Sequence, residues 1–501
     1  MLHFIEEEAA RCLLCADAPC SRACKNGDPA RAMRAIRFGN RNLAGRWIEE
    51  CSDEDLEAAE KACIHYDRPI RIKEMLAPLR NQREGENSKT DTSTSKGMKH
   101  ASLEITFCGI PCENPFFLAS SAICTNYEMV ARAFEAGWAG VFYKTICKQE
   151  IREVSPRFDA VKDGTSFAGF RNMEQLSENP YEMDFDILKR LKQNYPSKVV
   201  VASIMGQFEE EWIELAKMAE EAGCDAVELN FSCPQMRLAG MGSDVGQNPE
   251  LVAIYTTYVK NSVKIPIIPK MTPNITHMRH PAMSAYFAGA DAISAINTIK
   301  SITMSPEAAV SGRFTISGYS GRAVKPIALR YIYQMASNPV LNGSQGKRIE
   351  LSGIGGIENW RDALEFIQLG CSNVQVCTAV MQYGYRIIDD LILGMQNYLD
   401  ERGLESVEAL VGEELPNFVT PSDLDRDTII YPKIDRERCI GCGRCHISCM
   451  DGGHQAIAFD PATRQPRIIG TKCVGCHLCR LVCPTHAIGT TRRINKKSSS
   501  A

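Results

Sequence analysis

VVVASIMGQFEEEWIELAKMAEEAGCDAVELNFS, residues 199–232, is the stretch on which the fold turns. Its first seven residues, VVVASIM (199–205), are nearly all β-branched or apolar and predict a strand. EEEWIELAKMAEEAG (209–223) then changes period: Trp212, Leu215, Ala216 and Ala219 fall on one helical face, and Gly223 supplies a stop. AVELNFS (226–232) returns to strand. The same alternation runs outward on both sides. Strands are predicted at FFLAS (116–120), GVFYKT (140–145), IPIIPKM (265–271), AISAINT (292–298), IELSGIGG (349–356) and NVQVCTAV (373–380), each followed by a helical pattern. Eight such units between residues 101 and 403 predict an α/β protein built on a (β/α)8 TIM barrel, rather than an open doubly wound sheet.

Barrel enzymes work at the C-terminal ends of their strands, so the polar residues there carry the functional reading. They are Ser120, Lys144-Thr145, Asn230, Lys270, Asn297-Thr298, Gly355-Gly356 and Cys377-Thr378. The glycines after strand seven, with Thr378 after strand eight, are placed for backbone N–H groups to approach a phosphate. The two lysines are placed to hold negative charge, such as the N1–C2 carbonyl edge of a reduced flavin. Asparagine offers a donor and an acceptor together, which suits an amide- or imide-like ligand. Any one of these residues could simply make a turn; the set on one rim is the signal. Cys233 follows strand four and opens a glycine-rich loop, QMRLAGMGSDVGQ (235–247), that could close over a substrate and present a thiol as general acid. Cys108, Cys112, Cys124, Cys147, Cys224 and Cys371 read as small buried hydrophobes.

Composition narrows the class. Of 501 residues, 57 are basic and 61 acidic, a net charge of −4, so no global field points to nucleic acid or a membrane surface. The N-terminus, MLHFIEEEAARCLLC, is acidic where a signal peptide would be basic and then apolar, and no long apolar run appears. These features predict a cytoplasmic protein. The 22 cysteines stand out: six lie at 12–63, eight at 108–377 and eight at 439–483. In a reducing compartment they suggest metal or catalysis rather than disulfides. Domains are expected at 1–82 (a small helical, Cys-rich head), 101–403 (the barrel) and 435–491, with a flexible linker at 83–100, a connector at 404–434 and a disordered tail at 492–501.

The last cysteine group is a duplicated bacterial ferredoxin run. Cys439-x-x-Cys442-x-x-Cys445-x-x-x-Cys449 recurs as Cys473-x-x-Cys476-x-x-Cys479-x-x-x-Cys483-Pro484. In such runs the fourth thiolate crosses to the other cluster. One [4Fe–4S] cluster is therefore expected on Cys439, Cys442, Cys445 and Cys483, and a second on Cys473, Cys476, Cys479 and Cys449. A pair of zinc sites is the alternative, but it gives no reason for the Cys-Pro ending.

Several phrases spread around the barrel, among them LASSAICTNYEM, GFRNMEQLSENP, ELNFSCPQM, PKMTPNIT, SGYSGRAVKPIALR and CTAVMQYGYRI, resemble the pyrimidine-reducing subunit of bacterial NAD-dependent dihydropyrimidine dehydrogenases and the matching half of the eukaryotic enzyme. The resemblance runs from Ile105 to Thr491 and implies an FMN-containing barrel of the dihydroorotate dehydrogenase type with a C-terminal α+β ferredoxin domain. It places FMN at Ala119, Ser120, Lys144, Thr145, Lys270, Gly321, Gly355, Gly356, Ile357, Cys377 and Thr378. It places a pyrimidine at Asn172, Asn230, Phe231, Ser232, Asn297 and Thr298, with Cys233 as proton donor. Uracil or thymine would then receive hydride from the flavin at C6 and a proton from Cys233 at C5. No G-x-G-x-x-G follows any strand, so the resemblance also implies a separate PreT-like subunit that binds FAD and NADH in a heteromeric complex.

The head departs from that pattern. Cys12-x-x-Cys15-x4-Cys20-x3-Cys24 resembles the start of the iron–sulfur domain of the flavoprotein partner, with CIHYDRPIRIKEML (63–76) as a closing piece. Carried over, Cys12, Cys15, Cys20 and Cys63 would complete one further [4Fe–4S] cluster, while of a second set only Cys24 carries over, with Cys51 unassigned, so a second cluster is expected to be lost. A metal-free helical cap or a zinc site is the alternative. For the whole chain, the alternatives to a pyrimidine reductase are a flavin-dependent reductase of another conjugated C=C bond, or an electron-transferring subunit without a catalytic site.

Overall fold

The computed structural model describes residues 2–80, 100–234, 236, 240–306 and 309–496. It divides into two compact units, one spanning Glu8–Pro416 and one built from Asn417 onward together with the first seven residues. Among the described residues no helix is long and apolar enough to cross a membrane.

The larger unit holds a closed parallel barrel of eight strands: β1 Phe116–Leu118, β2 Gly140–Phe142, β3 Val199–Ile204, β4 Ala226–Asn230, β5 Ile267–Met271, β6 Ala292–Ala295, β7 Glu350–Ile354 and β8 Asn373–Val376. The barrel closes where β8 pairs with β1, in the register Val374↔Phe116 to Val376↔Leu118. All eight strands lie where the apolar runs predicted them, but β1, β2, β4, β6, β7 and β8 end two to four residues early. The residues beyond those ends are the polar ones, which leave the ladder and turn into the loops of the C-terminal face. After β8 the chain passes at once into a short helix, Thr378–Tyr383.

Helices α1 Tyr127–Ala136, α2 Tyr181–Asn194, α3 Glu209–Glu221, α4 Pro249–Lys260, α5 Arg279–Phe287, α6 Lys325–Ala336, α7 Trp360–Gln368 and α8 Ile388–Arg402 follow the strands in turn. On α3 the buried residues are Trp212, Leu215, Ala216 and Ala219, the predicted face. The Trp212 ring meets Phe231 at 5.2 Å and Tyr255 of α4 at 5.5 Å between centroids. A hairpin, Ile105–Phe107 with Ile110–Cys112, precedes β1, and its fully buried Phe107 packs on Phe117.

One element has no precursor in the strand pattern. Phe158–Asp163, Ser166–Asn172, Ile299–Ser301 and Ser317–Ser320 form a four-stranded antiparallel sheet from the β2–β3 and β6–β7 connections. Its strands are mostly half-exposed, so they lack the dense apolar runs that marked the barrel strands.

The head, expected as a separate domain, shares one compact unit with the barrel. Its helix Pro29–Arg37 is capped by Asp28, whose carboxylate accepts from Arg31 N at 3.0 Å. Arg34 of this helix donates from Nε to Asp390 of α8 at 2.6 Å and from Nη2 to Asp389 at 3.1 Å. Asn40 Nδ2 donates to the Asp390 carbonyl at 2.7 Å. Arg37 donates to Ser166 Oγ at 2.5 Å and Tyr383 OH at 3.2 Å, and Arg386 donates to the carbonyl of Leu14 at 2.5 Å. Burial pushes the Asp390 carboxyl up to about 6, against the opposing pull of Arg34.

In the smaller unit, strands Pro432–Ile434 and Ile488–Thr490 pair, as do Ile457–Asp460 and Gln465–Ile468, around helices Arg444–Gly452 and Leu478–Leu481. The tail begins later than expected, because Ile494 and Asn495 pair with Ile429 and Thr428. All of the expected linker except residue 100 lies outside the described residues, as does the tail beyond residue 496.

The Arg34–Asp390 pair gives the fold a direct test. Arg34→Ala leaves Asp390 buried without its cation, a change that costs about 3–5 kcal/mol in buried pairs and less here if the carboxyl takes up a proton. Hydrogen exchange should speed up in residues 29–37 and along α8 while β3, β4 and β5 keep their protection.

Candidate active site and cluster sites

The C-terminal face of the barrel opens on a cavity whose walls enclose about 1040 Å³, part of it open to solvent. Every strand end except that of β3 contributes. Ala119 and Ser120 come after β1, Lys144 and Thr145 after β2, Asn230 and Lys270 from β4 and β5, and Asn297 and Thr298 after β6. Asn172 enters from the end of the strand Ser166–Asn172, and Cys233 from the loop after β4. Gly321, Gly355, Gly356 and Ile357 form one end of the wall, closed by Cys377 and Thr378 after β8.

Two expected contacts do not reach the cavity. Phe231 is fully buried and turned toward Trp212, because it follows Asn230 and the alternation sends it out of the barrel into the helical layer. Ser232 is also fully buried. It donates to Asn230 Oδ1 at 2.7 Å and accepts from Asn297 Nδ2 at 2.9 Å. Asn230 Nδ2 donates to Thr145 Oγ1 at 2.9 Å. Ser232 therefore sets how both amides are presented. Gly242 brings the loop back against Cys233: at φ +58°, its added Cβ would lie 2.5 Å from the Cys233 carbonyl. Gln235 and residues 237–239 of that loop lie outside the described residues.

The electrostatics are balanced by carboxylates that the strand-end reading passed over. Both lysines are buried. Lys144 Nζ donates to Glu174 Oε1 at 2.9 Å, and Lys270 Nζ lies 3.4 Å from Glu228 Oε1. Glu174 lines the cavity two residues after Asn172, a position at which the quoted GFRNMEQ phrase already held an acid. Glu358 also lines it, beside the glycine end, and burial pushes its carboxyl up to about 7. Burial likewise raises the Cys377 thiol, which donates to Ser121 Oγ at 3.2 Å and stays neutral. At the glycine end, a Cβ on Gly356 (φ +75°) would lie 2.7 Å from Lys325 N and 2.9 Å from the Gly321 carbonyl. Only bare backbone fits there, next to the first residue of α6, as an approach to a phosphate requires.

Two smaller cavities lie in the C-terminal unit. One, of about 330 Å³, is lined by Cys439, Cys442, Cys445 and Cys483; the other, of about 340 Å³, by Cys449, Cys473, Cys476 and Cys479. These are the two crossed thiol sets. In the head, burial raises the Cys12 and Cys20 thiols, Cys20 to about 11. Cys15 and Cys63 are close enough to both to add to the shift, so the fold gathers these four. Cys24 and Cys51 stand apart as a buried pair with Sγ atoms 3.3 Å from each other.

The profile of the dihydroorotate dehydrogenase family matches residues 102–399, the whole barrel. The chain belongs to that family. A second profile, the 4Fe-4S dicluster domain, matches residues 432–490. Among relatives within and around the family, the NAD-dependent dihydropyrimidine dehydrogenase subunit PreA of Escherichia coli K12 is 51% identical over 393 residues, covering 77% of this chain and 94% of its own length. The chloroplastic dihydropyrimidine dehydrogenase (NADP(+)) of Arabidopsis thaliana is 36% identical over 338 residues, 64% of this chain and 79% of that one. The catalytic subunit of dihydroorotate dehydrogenase B (NAD(+)) of Pyrococcus abyssi is 36% identical over 316 residues, 62% of this chain and 98% of that one. The two family profiles start at residue 102, downstream of the head.

The crossed thiol sets make a prediction that a run-by-run pairing does not. Cys449→Ala should abolish a cluster held by Cys473, Cys476 and Cys479, 24 to 30 residues further along the sequence, and spare one held by Cys439, Cys442 and Cys445. Iron content should fall by about four per chain. Redox-poised paramagnetic spectra should lose the signal that Cys476→Ser also removes, not the signal lost in Cys442→Ser.

Proposed function

We propose that the chain is the catalytic subunit of a dihydropyrimidine dehydrogenase, an oxidoreductase acting on a CH–CH bond that converts uracil or thymine to the 5,6-dihydro form. The observation that carries this reading is one cavity in which three asparagine amides (Asn172, Asn230 and Asn297), the Cys233 thiol and two buried lysines converge. The 51% identity to a dihydropyrimidine dehydrogenase subunit supports it.

FMN is the cofactor these residues fit. The glycine wall at 355–356 with Gly321 and Thr378 suits a phosphate, and the two lysines suit a ring that becomes electron-rich. Bound there, FMN would supply the hydride that adds to C6 of the pyrimidine. The chain's own residues do the rest. The asparagines would pair with the alternating carbonyl and N–H groups of the imide, held in place by Ser232 and Thr145. Lys144 and Lys270 would balance negative charge at the ring edge. Cys233, buried at the mouth of its loop, would deliver the proton to C5.

Electrons would arrive through the two C-terminal clusters from a partner subunit that binds FAD and NADH. PreA and the Pyrococcus protein are both named as subunits, which agrees with a heteromeric enzyme. A third [4Fe–4S] cluster is assigned to Cys12, Cys15, Cys20 and Cys63, the four head thiols that the fold brings within mutual reach.

The test is anaerobic. The purified chain, given reduced viologen dye, should oxidise it only when uracil or thymine is added. Cys233→Ala should slow this by about 10²–10⁴-fold while FMN and iron contents hold, and Asn230→Ala should raise KM. Activity that survives both changes would sink the site; a response only to another conjugated carbonyl compound would reassign the substrate. Iron should measure about twelve per chain with the head loaded. Cys20→Ser should lower that to about eight without loss of FMN, and a wild-type count of eight would remove the head cluster.

A further inference from the structure

Beneath the cavity lies a carboxylate that the chemistry above leaves without a task. Glu228, in the middle of β4, is completely buried. It shares the inward side of its strand with Asn230, two residues on. Its Oε1 accepts from Ser203 Oγ of β3 at 2.9 Å and lies 3.4 Å from Nζ of Lys270 on β5. Its Oε2 accepts from Ser294 Oγ of β6 at 2.8 Å. Register explains the convergence, since Ser203 stands opposite Glu228 and Ser294 opposite Lys270. Four consecutive strands meet at one side chain. Ser203 also bonds Thr145 Oγ1 at 2.9 Å, and Thr145 Oγ1 is shared with Asn230 and with Ser120 at 3.1 Å. Glu228 does not line the cavity; Lys270, Thr145, Asn230 and Ser120 do.

Stability gives little reason for this residue. A carboxylate taken wholly out of water is costly even when paired, and apolar replacements for buried ion pairs are often neutral or stabilising. What Glu228 does provide is a fixed negative charge beside one cation of the cavity floor. We infer that Glu228 is a positioning residue for the flavin: it fixes the Lys270 ammonium on the cavity floor and limits how strongly that cation favours negative charge on the ring above it. The inference rests on the flavin reading of the cavity. With Glu228 neutralised, Lys270 becomes a lone buried cation, and a reduced, anionic ring gains stability. With Lys270 neutralised, Glu228 keeps its two serine donors but has no ammonium left to fix or restrain, so its influence on the ring through that cation is gone.

The experiment compares FMN-loaded wild type with Glu228→Gln, Lys270→Met and the double variant. The readouts are the flavin midpoint potential, the affinity of the oxidised flavin for sulfite, the visible spectrum and the FMN dissociation constant. Glu228→Gln should raise the potential and tighten sulfite binding by about tenfold, the scale of an unscreened buried charge. Lys270→Met should lower the potential, and adding Glu228→Gln to it should move it no further. An unchanged potential in Glu228→Gln, or an equal rise in both backgrounds, overturns the inference. Should Glu228→Gln alone fail to fold, the comparison of Lys270→Met with the neutral double variant decides, since identity supports the inference and a further shift overturns it. A wild-type chain that takes up no FMN fells the flavin reading itself, and the inference with it.

Discussion

The larger unit depends on the pairing of β8 with β1, whose members are more than 250 residues apart in sequence. Until Val374 and Phe116 stand side by side, the two ends of the sheet are open edges and the rim is not a ring. Closure places Ala119 beside Val376, whose carbonyl accepts the Ala119 N–H at 3.0 Å, and so brings the loop after β1 against the loop after β8. Ser120 and Thr378 become walls of one cavity through that contact. Contacts this distant in sequence carry a large loop-closure cost, offset by strands buried along their full length.

Closure also dictates the interior chemistry. Barrel interiors are usually filled by branched apolar side chains. Here Ser203, Glu228, Ser294 and Ser352 occupy the inside, with Gln375 at the cavity wall donating to Ser352 Oγ at 2.8 Å. A polar layer in a closed space has to find its partners within itself, and the serines do so at the Glu228 carboxylate and the Gln375 amide, while Gln375 Oε1 is left without a protein partner. The charge arrangement above follows the same logic. Each buried lysine has one acid within reach, Glu174 for Lys144 and Glu228 for Lys270, so the floor holds two cations without a large unbalanced field.

Much of this was legible in the residues. The eight barrel strands announce themselves because they are apolar runs each followed by a helical pattern, and the rim residues follow from where those runs end. The crossed cysteine sets follow from spacing, and the two thiol-lined cavities hold those sets. What stayed hidden has physical causes. The four-stranded sheet is half-exposed and shows no apolar run. Phe231 and Ser232 sit inside a motif full of cavity residues, yet strand alternation and the turn after β4 carry their side chains elsewhere. Glu174 and Glu228 are single acids in mixed sequence, and only the fold shows which lysine each one faces. The joining of head to barrel rests on Arg34, Arg37 and Asn40 meeting α8 and the barrel loops across hundreds of residues, which no local pattern records.

The strand Ser166–Asn172 joins two of these features. At its start Ser166 takes the Arg37 guanidinium of the head, and at its end Asn172 faces the cavity. About 20 Å of extended chain runs between them, paired along one side by Phe158–Asp163 and on the other by Ser317–Ser320 over Phe170–Asn172. One hydrogen-bonded strand thus has its start tied to the head and its end in the cavity wall, so the head and the Asn172 amide share a single element of the fold.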